Sequence, residues 1–299
     1  MGCKQEVKQV QLEAAEITWG KSACRKIVTV ADETDSLDGV FVTLKAFNPE
    51  GEEVSYVIGK GADAGEGEIN VEFLTGSSAE VVAQAFVDAI NGIEDRPFIA
   101  ELEGSTIHAL NRFRGKVQNE SMGDTGFDYE LEIEGVLIDM GSTEGAVELS
   151  LEVNLFDVTT NQTGELVIDQ IYQGASASIS ADFLEVTRER FDTLIGEVTG
   201  DSVTPENGEK VSGFGQSRLF QTLRGLGGQL VLHPIRLPKS DRSRDVTFWN
   251  SAPIVNGLNF DGTAPQALQV EFNAYLESRK DERINLWAKG DWTQEGLDA

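Results

Sequence analysis

The sequence predicts a mainly-β protein whose larger, C-terminal part is preceded by a small α+β module. Two long alternating runs and one helical stripe carry that expectation. In the first run Val147, Leu149, Leu151, Val153 and Leu155 alternate with Glu148, Ser150, Glu152 and Asn154. Such a period of two marks a half-buried strand, because successive side chains point to opposite sides of a sheet. The second run sets Ala175, Ala177, Ile179, Ala181 and Phe183 against Ser176, Ser178, Ser180 and Asp182. The stripe is Val82, Ala85, Phe86, Ala89 and Ile90, the spacing of one apolar helix face.

From the N-terminus, residues 1–36 read as an arm followed by lead strands at 17–20 and 26–30. A domain over 37–127 comes next. It starts with strands at 39–44 and 54–58 about an Asn-Pro-Glu-Gly turn, the composition of a hairpin. The glycine-rich stretch 59–67 reads as an exposed loop: it lacks the ending of a phosphate loop, and Asp63 and Glu66 repel phosphate. A strand at 68–74 leads to Ser77 and Glu80, which have capping-box spacing. Asn91 and Gly92 end the helix. Strands at 98–102 and 105–110 then form a hairpin about Glu103 and Gly104, which completes a β-β-β-α-β-β module. The polar, glycine-containing residues 119–125 read as the linker to a second domain, 128–299.

That second domain opens on Tyr129, Leu131 and Ile133 alternating with three glutamates. The two long runs follow, joined by a turn-rich excursion that contains Thr159, Thr160, Asn161, Gln162, Thr163 and Gly164. Thr187 is placed to cap a short helix with Phe191, Leu194 and Ile195 inward. Residues 196–215 read as a loop, and strands are expected at 226–234, 246–249, 252–258 and 267–275 around a charged loop at 238–245.

Charge narrows the partners. The chain has 51 acidic and 24 basic residues, a formal net charge of −27. The acid is spread along it, with 22 acidic and 11 basic side chains in residues 1–127 and 29 and 13 in residues 128–299. Such a surface repels nucleic acid, whose binding depends on Lys and Arg displacing counterions. No apolar run is long enough to span a bilayer, and no leader-like apolar region is present. Synthesis in a cytoplasm and no membrane partner are the expectations.

Catalytic patterns are missing. The only histidines are His108 and His233, and no nucleophile elbow, zinc-binding helix motif, P-loop or dinucleotide fingerprint occurs. No enzyme activity, cofactor or metal is expected. The cysteines, Cys3 and Cys24, form no CxxC pair. Free thiols, a Cys3–Cys24 disulfide and a bridge between subunits stay open as alternatives.

The order of motifs in the second domain resembles the tail tube proteins of tailed bacteriophages. That group has a "G-x-T-x-G-x-V-x-L" strand, a "Thr-Asp-Gln-Thr-Gly" turn, "Asp-x-Ile-x-x-Gly", a strand, and "Glu-x-Thr" opening a helix. Here these read Gly141-Ser-Thr-Glu-Gly-Ala-Val-Glu-Leu149, Thr160-Asn-Gln-Thr-Gly164, Asp169-Gln-Ile-Tyr-Gln-Gly174 and Glu185-Val-Thr187. Asn161 departs from the pattern but keeps its turn chemistry. The 37–110 module is similar to an N-terminal module common in phage structural proteins.

The resemblance implies a β-sandwich or half-barrel of tail-tube type in a virion tail. Its subunits would form stacked, hexameric rings whose inner strands close into one β-barrel lumen for genome ejection. It implies that Glu148 and Glu152 line the lumen and that the loop from Thr159 to Gly164 stacks rings. Partners would be the chain itself and a sheath, tape measure or tail terminator protein, with DNA passing unbound. A tail completion, adaptor or baseplate protein of the same fold is the neighbouring alternative. A β-rich carbohydrate-binding surface protein is the alternative from another class.

Overall fold

A computed structural model describes residues 10–11, 14–48, 51–61, 68–94, 96–159, 166–184, 187–195, 201–203, 208, 211–213, 216, 219–259, 267–276 and 286–291. The chain is mainly β, as its alternation predicts. In chain order, β1 (Val10–Gln11) and β2 (Ala15–Lys21) precede β3 (Cys24–Val28), β4 (Val40–Phe47), β5 (Glu53–Lys60) and β6 (Glu68–Asn70). Helix α1 (Ala79–Asn91) is followed by β7 (Phe98–Glu103), β8 (Thr106–Asn111), β9 (Asp128–Ile133) and β10 (Val136–Asp139). The long strands β11 (Thr143–Val158) and β12 (Asp169–Phe183) come next, then α2 (Arg188–Leu194) and the short pair β13 (Asp201–Val203) and β14 (Val211–Gly213). Last are α3 (Leu223–Leu226), β15 (Gly228–Pro234), β16 (Val246–Asn259), β17 (Ala267–Tyr275) and β18 (Trp287–Lys289).

Two compact units form. One is Met1–Trp19 with Ile138–Ala299, and the other is Gly20–Leu137. The large sheet runs β1-β11-β12-β17-β16-β15-β2-β10, with β18 on β16. The strands β2 and β10 are therefore neighbours, and the chain between them is the second unit. Gly20 sits where they meet: a Cβ there would lie 2.1 Å from the Val136 carbonyl oxygen, so only glycine lets the two strands approach.

Within the first unit, Val147, Leu149, Ile179, Ala181, Phe183, Val270 and Phe272 are buried on one face of the sheet. Phe183 and Phe272 meet edge to face at 6.5 Å. Trp19 is fully buried and its indole N–H donates to the Ser251 carbonyl at 2.9 Å. The central strand β16 is buried on both faces from 246 to 253. Two strands are expected here, 246–249 and 252–258, with Pro253 near the start of the second. One strand forms because Pro253 lies beyond Ser251, the last residue paired with β15, on a stretch bordered by a strand on one side only. There a missing N–H breaks no ladder bond. Likewise 201–203 and 211–213 pair as strands within a stretch read as loop. Thr187 accepts from Arg190 N–H at 3.3 Å and caps α2, with Leu194 and Ile195 buried.

The unit Gly20–Leu137 has a three-stranded sheet, β4-β5-β6, and a four-stranded one, β7-β8-β3-β9. A single core joins both sheets to α1 through Ile27, Leu44, Ile58, Val71, Phe86, Ile90, Phe98 and Phe127. Burial of this size is the main source of its stability. The inward face of α1 is Val82, Ala83, Phe86, Val87 and Ile90, so the stripe is rotated from the expected one, and Ala85 and Ala89 lie at its flank. Ser78, not Ser77, is the N-cap and makes no side-chain cap bond. Glu80 is then one position early for a capping box. The β7–β8 hairpin turns at Gly104, whose φ of 63° suits glycine.

The expected boundaries, 1–36, 37–127 and 128–299, group the chain differently from these units. Strand β3 pairs with β8 and β9, and so both lead strand and the first strand of the expected second domain belong beside the helix. Residues 119–125 form a strap rather than a linker. Ser121 bridges to Thr43. The side chain of Glu120 is buried and holds Arg25 at 2.7 Å, where it also accepts from the Tyr129 hydroxyl. Arg25 is itself fully buried and donates to Asn111 and to the Lys45 carbonyl. A buried ion pair of this kind is strongly destabilising to break, by about 3–5 kcal/mol.

Two outcomes follow for this unit. A fragment 20–137 is expected to unfold cooperatively by circular dichroism, whereas 37–110, which lacks Arg25, Ile27 and Glu120, is not. A folded 37–110 fragment would refute the shared core. Separately, Lys60 bonds both Asp32 and Asp35. Burial raises the Asp32 carboxyl, but the Lys60 and Leu37 N–H bonds overcome it and hold it below the usual range. Asp35 is lowered by Lys60 first and then by Thr75. Both carboxylates thus stabilise the fold above about pH 3.9, and that stability is lost as pH falls through the lowered folded values. Lys60→Met should move acid unfolding of the 20–137 fragment to higher pH; an unchanged midpoint would remove this role.

Candidate assembly interface

Strands β11 and β12 outrun every neighbour. β1 pairs with β11 only at Leu149 and Glu148, and β17 pairs with β12 only from Ser178 to Phe183. Beyond these contacts, among the described residues, β11 and β12 pair only with each other, from Leu151↔Ala177 to Val158↔Asp169. Among the described residues, both outer edges of this ribbon are without a strand. The ribbon is closed by the bond from Ile168 N–H to the Val158 carbonyl at 2.9 Å.

Its side chains do not suit water. The register passes from Asn154↔Gly174 to Leu155↔Tyr172, which leaves Gln173 as an extra residue. This bulge re-phases β12. Before it, apolar residues share one face, with Leu151 opposite Ala177 and Val153 opposite Ala175. After it, Leu155 and Tyr172 continue that face, while Phe156 and Ile171 form a second apolar pair on the other. Val153, Leu155, Phe156, Ile171 and Tyr172 are all exposed, Phe156 by 53% and Tyr172 by 63%. Leu166, Val167 and Ile168 beside the turn are exposed as well. The alternating face of β11 was expected to meet the core along its whole length. Only Val147 and Leu149 are buried and Leu151 half-buried, because the body of the sheet ends there.

The opposite face near the base of the ribbon is acidic. Glu144 pairs with Asp182, Glu148 with Ser180 and Glu152 with Ser176. Across the next strand Ser180 pairs with Glu271 and Ser178 with Asn273. Ser176 donates to Glu152 at 3.5 Å, and Asn256 to Glu271 at 3.3 Å. Glu148 and Glu152 point to solvent on this face. Glu144, Asp182 and Glu271 join them, and no Lys or Arg lies among these paired residues.

Thr159 is exposed at the end of β11. Thr160, Asn161, Gln162, Thr163 and Gly164 lie outside the described residues, as do Cys3, Asp63, Glu66, Glu185, Val186 and the first nine residues. Cys24 is half-buried and its thiol donates to Glu132 at 3.7 Å. Burial and then the Glu132 charge push that thiol up, so it stays protonated. His108 lies 3.4 Å from Glu103. Both ring nitrogens of His233 meet acceptors, Asp245 at 2.7 Å and the Leu237 carbonyl at 3.2 Å. Among the described residues no three His, Cys, Asp or Glu side chains gather into a metal-holding group, and no helix is long and apolar enough to cross a membrane.

A comparison with protein-family models finds no match, and neither does a comparison with curated proteins.

Since the ribbon's end contributes nothing to the core, Phe156→Ser with Ile171→Ser should leave the thermal midpoint of dilute, unassembled protein almost unchanged, within about 0.5 kcal/mol of stability. A loss of several kcal/mol would show that these side chains pack within the subunit.

Proposed function

We propose that this chain is a structural subunit of a phage tail tube, which polymerises as stacked hexameric rings into the conduit for genome ejection. The observation that carries the proposal is the β11–β12 ribbon, apolar on both faces beyond Asn154 and, among the described residues, with both edges unpaired. A two-stranded ribbon is marginal alone in water, and a long exposed edge invites further strands. Docking on a second subunit supplies both partners at once, and ring closure leaves no free edge. On this reading the nine-stranded sheet is the half-barrel of tail-tube type, and the small α+β module ahead of it is an accessory part. The neighbours in a virion would be a sheath, tape measure or tail terminator protein.

The acidic face supports the same reading. Repeated around a ring, Glu148 and Glu152 with Asp182 and Glu271 would make circles of negative charge. DNA phosphates are not retained by such a wall, whereas a lysine-rich one would hold them. At physiological salt the screening length is about 8 Å, so the effect is confined to DNA near the wall.

Purified protein is expected to form rings or tubes in negative-stain images, and the Phe156→Ser, Ile171→Ser variant to stay monomeric. Tubes from that variant would overturn the role of the ribbon. Replacing Glu148 and Glu152 by Lys should permit assembly yet slow DNA ejection, more at low salt than at high; ejection at the parental rate at every salt concentration would take these residues out of the lumen.

A further inference from the structure

The second unit protects two of its four edge strands with side chains, and among the described residues leaves the edge of β6 open. On β7, the Asn91 side chain accepts from Ala100 N–H and donates to the Ala100 carbonyl, each at 2.9 Å, as a neighbouring strand would. On β4, Ser121 bridges to Thr43, Glu120 accepts from Lys45 N–H at 2.6 Å, and Arg25 and Asn111 donate to the Lys45 carbonyl. The edge strand β6 has no such cover among the described residues. It runs parallel to β5, and Val71 N–H continues the ladder to the Gly59 carbonyl at 2.8 Å. That bond sets the phase. Ile69 and Val71 turn their backbone groups to β5, and those of Asn70 and Glu72 point outward. The Asn70 side chain is occupied elsewhere, accepting from Gly61 N–H at 3.2 Å.

Beside this open edge lies a groove of about 450 Å³ between 70–72 and the flank of α1. Val71, Ala85 and Ala89 make its apolar lining, and Val81, 51% exposed, borders it. Glu72 stands on one rim and Asp88 on the other, the latter accepting from Gln84 at 2.7 Å. A second hollow of about 410 Å³ continues along 70–74 past Asp38. Its one cation, Lys60, is held by Asp32 and Asp35.

We propose that the β6 edge and the α1 flank form a docking site for an extended, basic peptide segment of a partner protein. The segment adds as a strand to the outward backbone of Asn70 and Glu72. One of its apolar side chains enters the groove, and its Lys or Arg side chains meet Glu72 and Asp88. A free strand edge beside a helix is a recurrent geometry for strand addition, in which main-chain bonds give affinity and the pocket gives specificity. Charge selects a different protein over a second copy, because this chain carries 51 acidic against 24 basic residues and brings like charge to an acidic rim. The site is independent of the ribbon and of the tube reading.

The test uses the full chain and a capped synthetic hexapeptide of alternating Lys and Val. Two comparators are the same peptide N-methylated at every amide, which keeps the charge but loses the strand donors in either strand direction, and a Glu-Val peptide. The Lys-Val peptide should slow hydrogen exchange in the stretch containing Asn70 and Glu72 by about fivefold or more, and neither comparator should. Glu72→Lys with Asp88→Lys, both at exposed positions, should weaken binding about tenfold. Ala85→Leu, which fills the groove without changing charge, should abolish the protection. Equal binding of the N-methylated peptide, or no protection at 70–72 at saturation, would overturn the proposal. Protection that grows with protein concentration alone would assign the edge to a second copy and overturn it too.

Discussion

Each strand has two edges, and every backbone N–H and C=O along them needs a partner or water. How the two units meet this constraint governs the rest of the structure. In the second unit, polar side chains stand in for absent strands: Asn91 serves β7, and Glu120, Arg25 and Asn111 serve β4. These residues are polar because a backbone edge is what they touch. In the first unit the two longest strands leave the sheet together, and among the described residues no strand pairs with their outer edges. The chain blunts edges in one place and extends them in another, and in the assembly proposed above the extended edges are the means of association.

Much of the strand content was readable from alternation, since a period of two survives wherever one face is buried. The β7–β8 hairpin and the cap of α2 were readable from local chemistry at Gly104 and Thr187. The grouping into units was not. Glu120 looks like linker material in a polar stretch, and only its distance to Arg25, across 95 positions of sequence, shows that it is an anchor. The effect of Pro253 is hidden for the same reason: it depends on which neighbour has already ended.

The candidate interface was half legible. Glu148 and Glu152 were assigned to the solvent face by pattern alone, and Glu271 and Asp182 join them because their strands lie alongside. The two-sided apolar character of the ribbon was hidden. It arises from one residue, Gln173, whose insertion into the ladder changes which side chains share a face, and nothing in the composition around it marks that shift. The apolar run of β11 was likewise taken as core because sequence does not show where the body of the sheet ends.

The insertion of one unit between two adjacent strands of the other has an energetic consequence. While the 20–137 unit is folded, β2 and β10 are joined by what behaves as a short loop, with Gly20 and Val136 in contact. Once it unfolds, the same two strands must close a flexible loop of more than a hundred residues. The closure entropy grows as the logarithm of loop length, which amounts here to about 3 kcal/mol. Melting the inserted unit therefore loosens its host through chain statistics alone, with no contact between them required: the way the thread is routed couples the two.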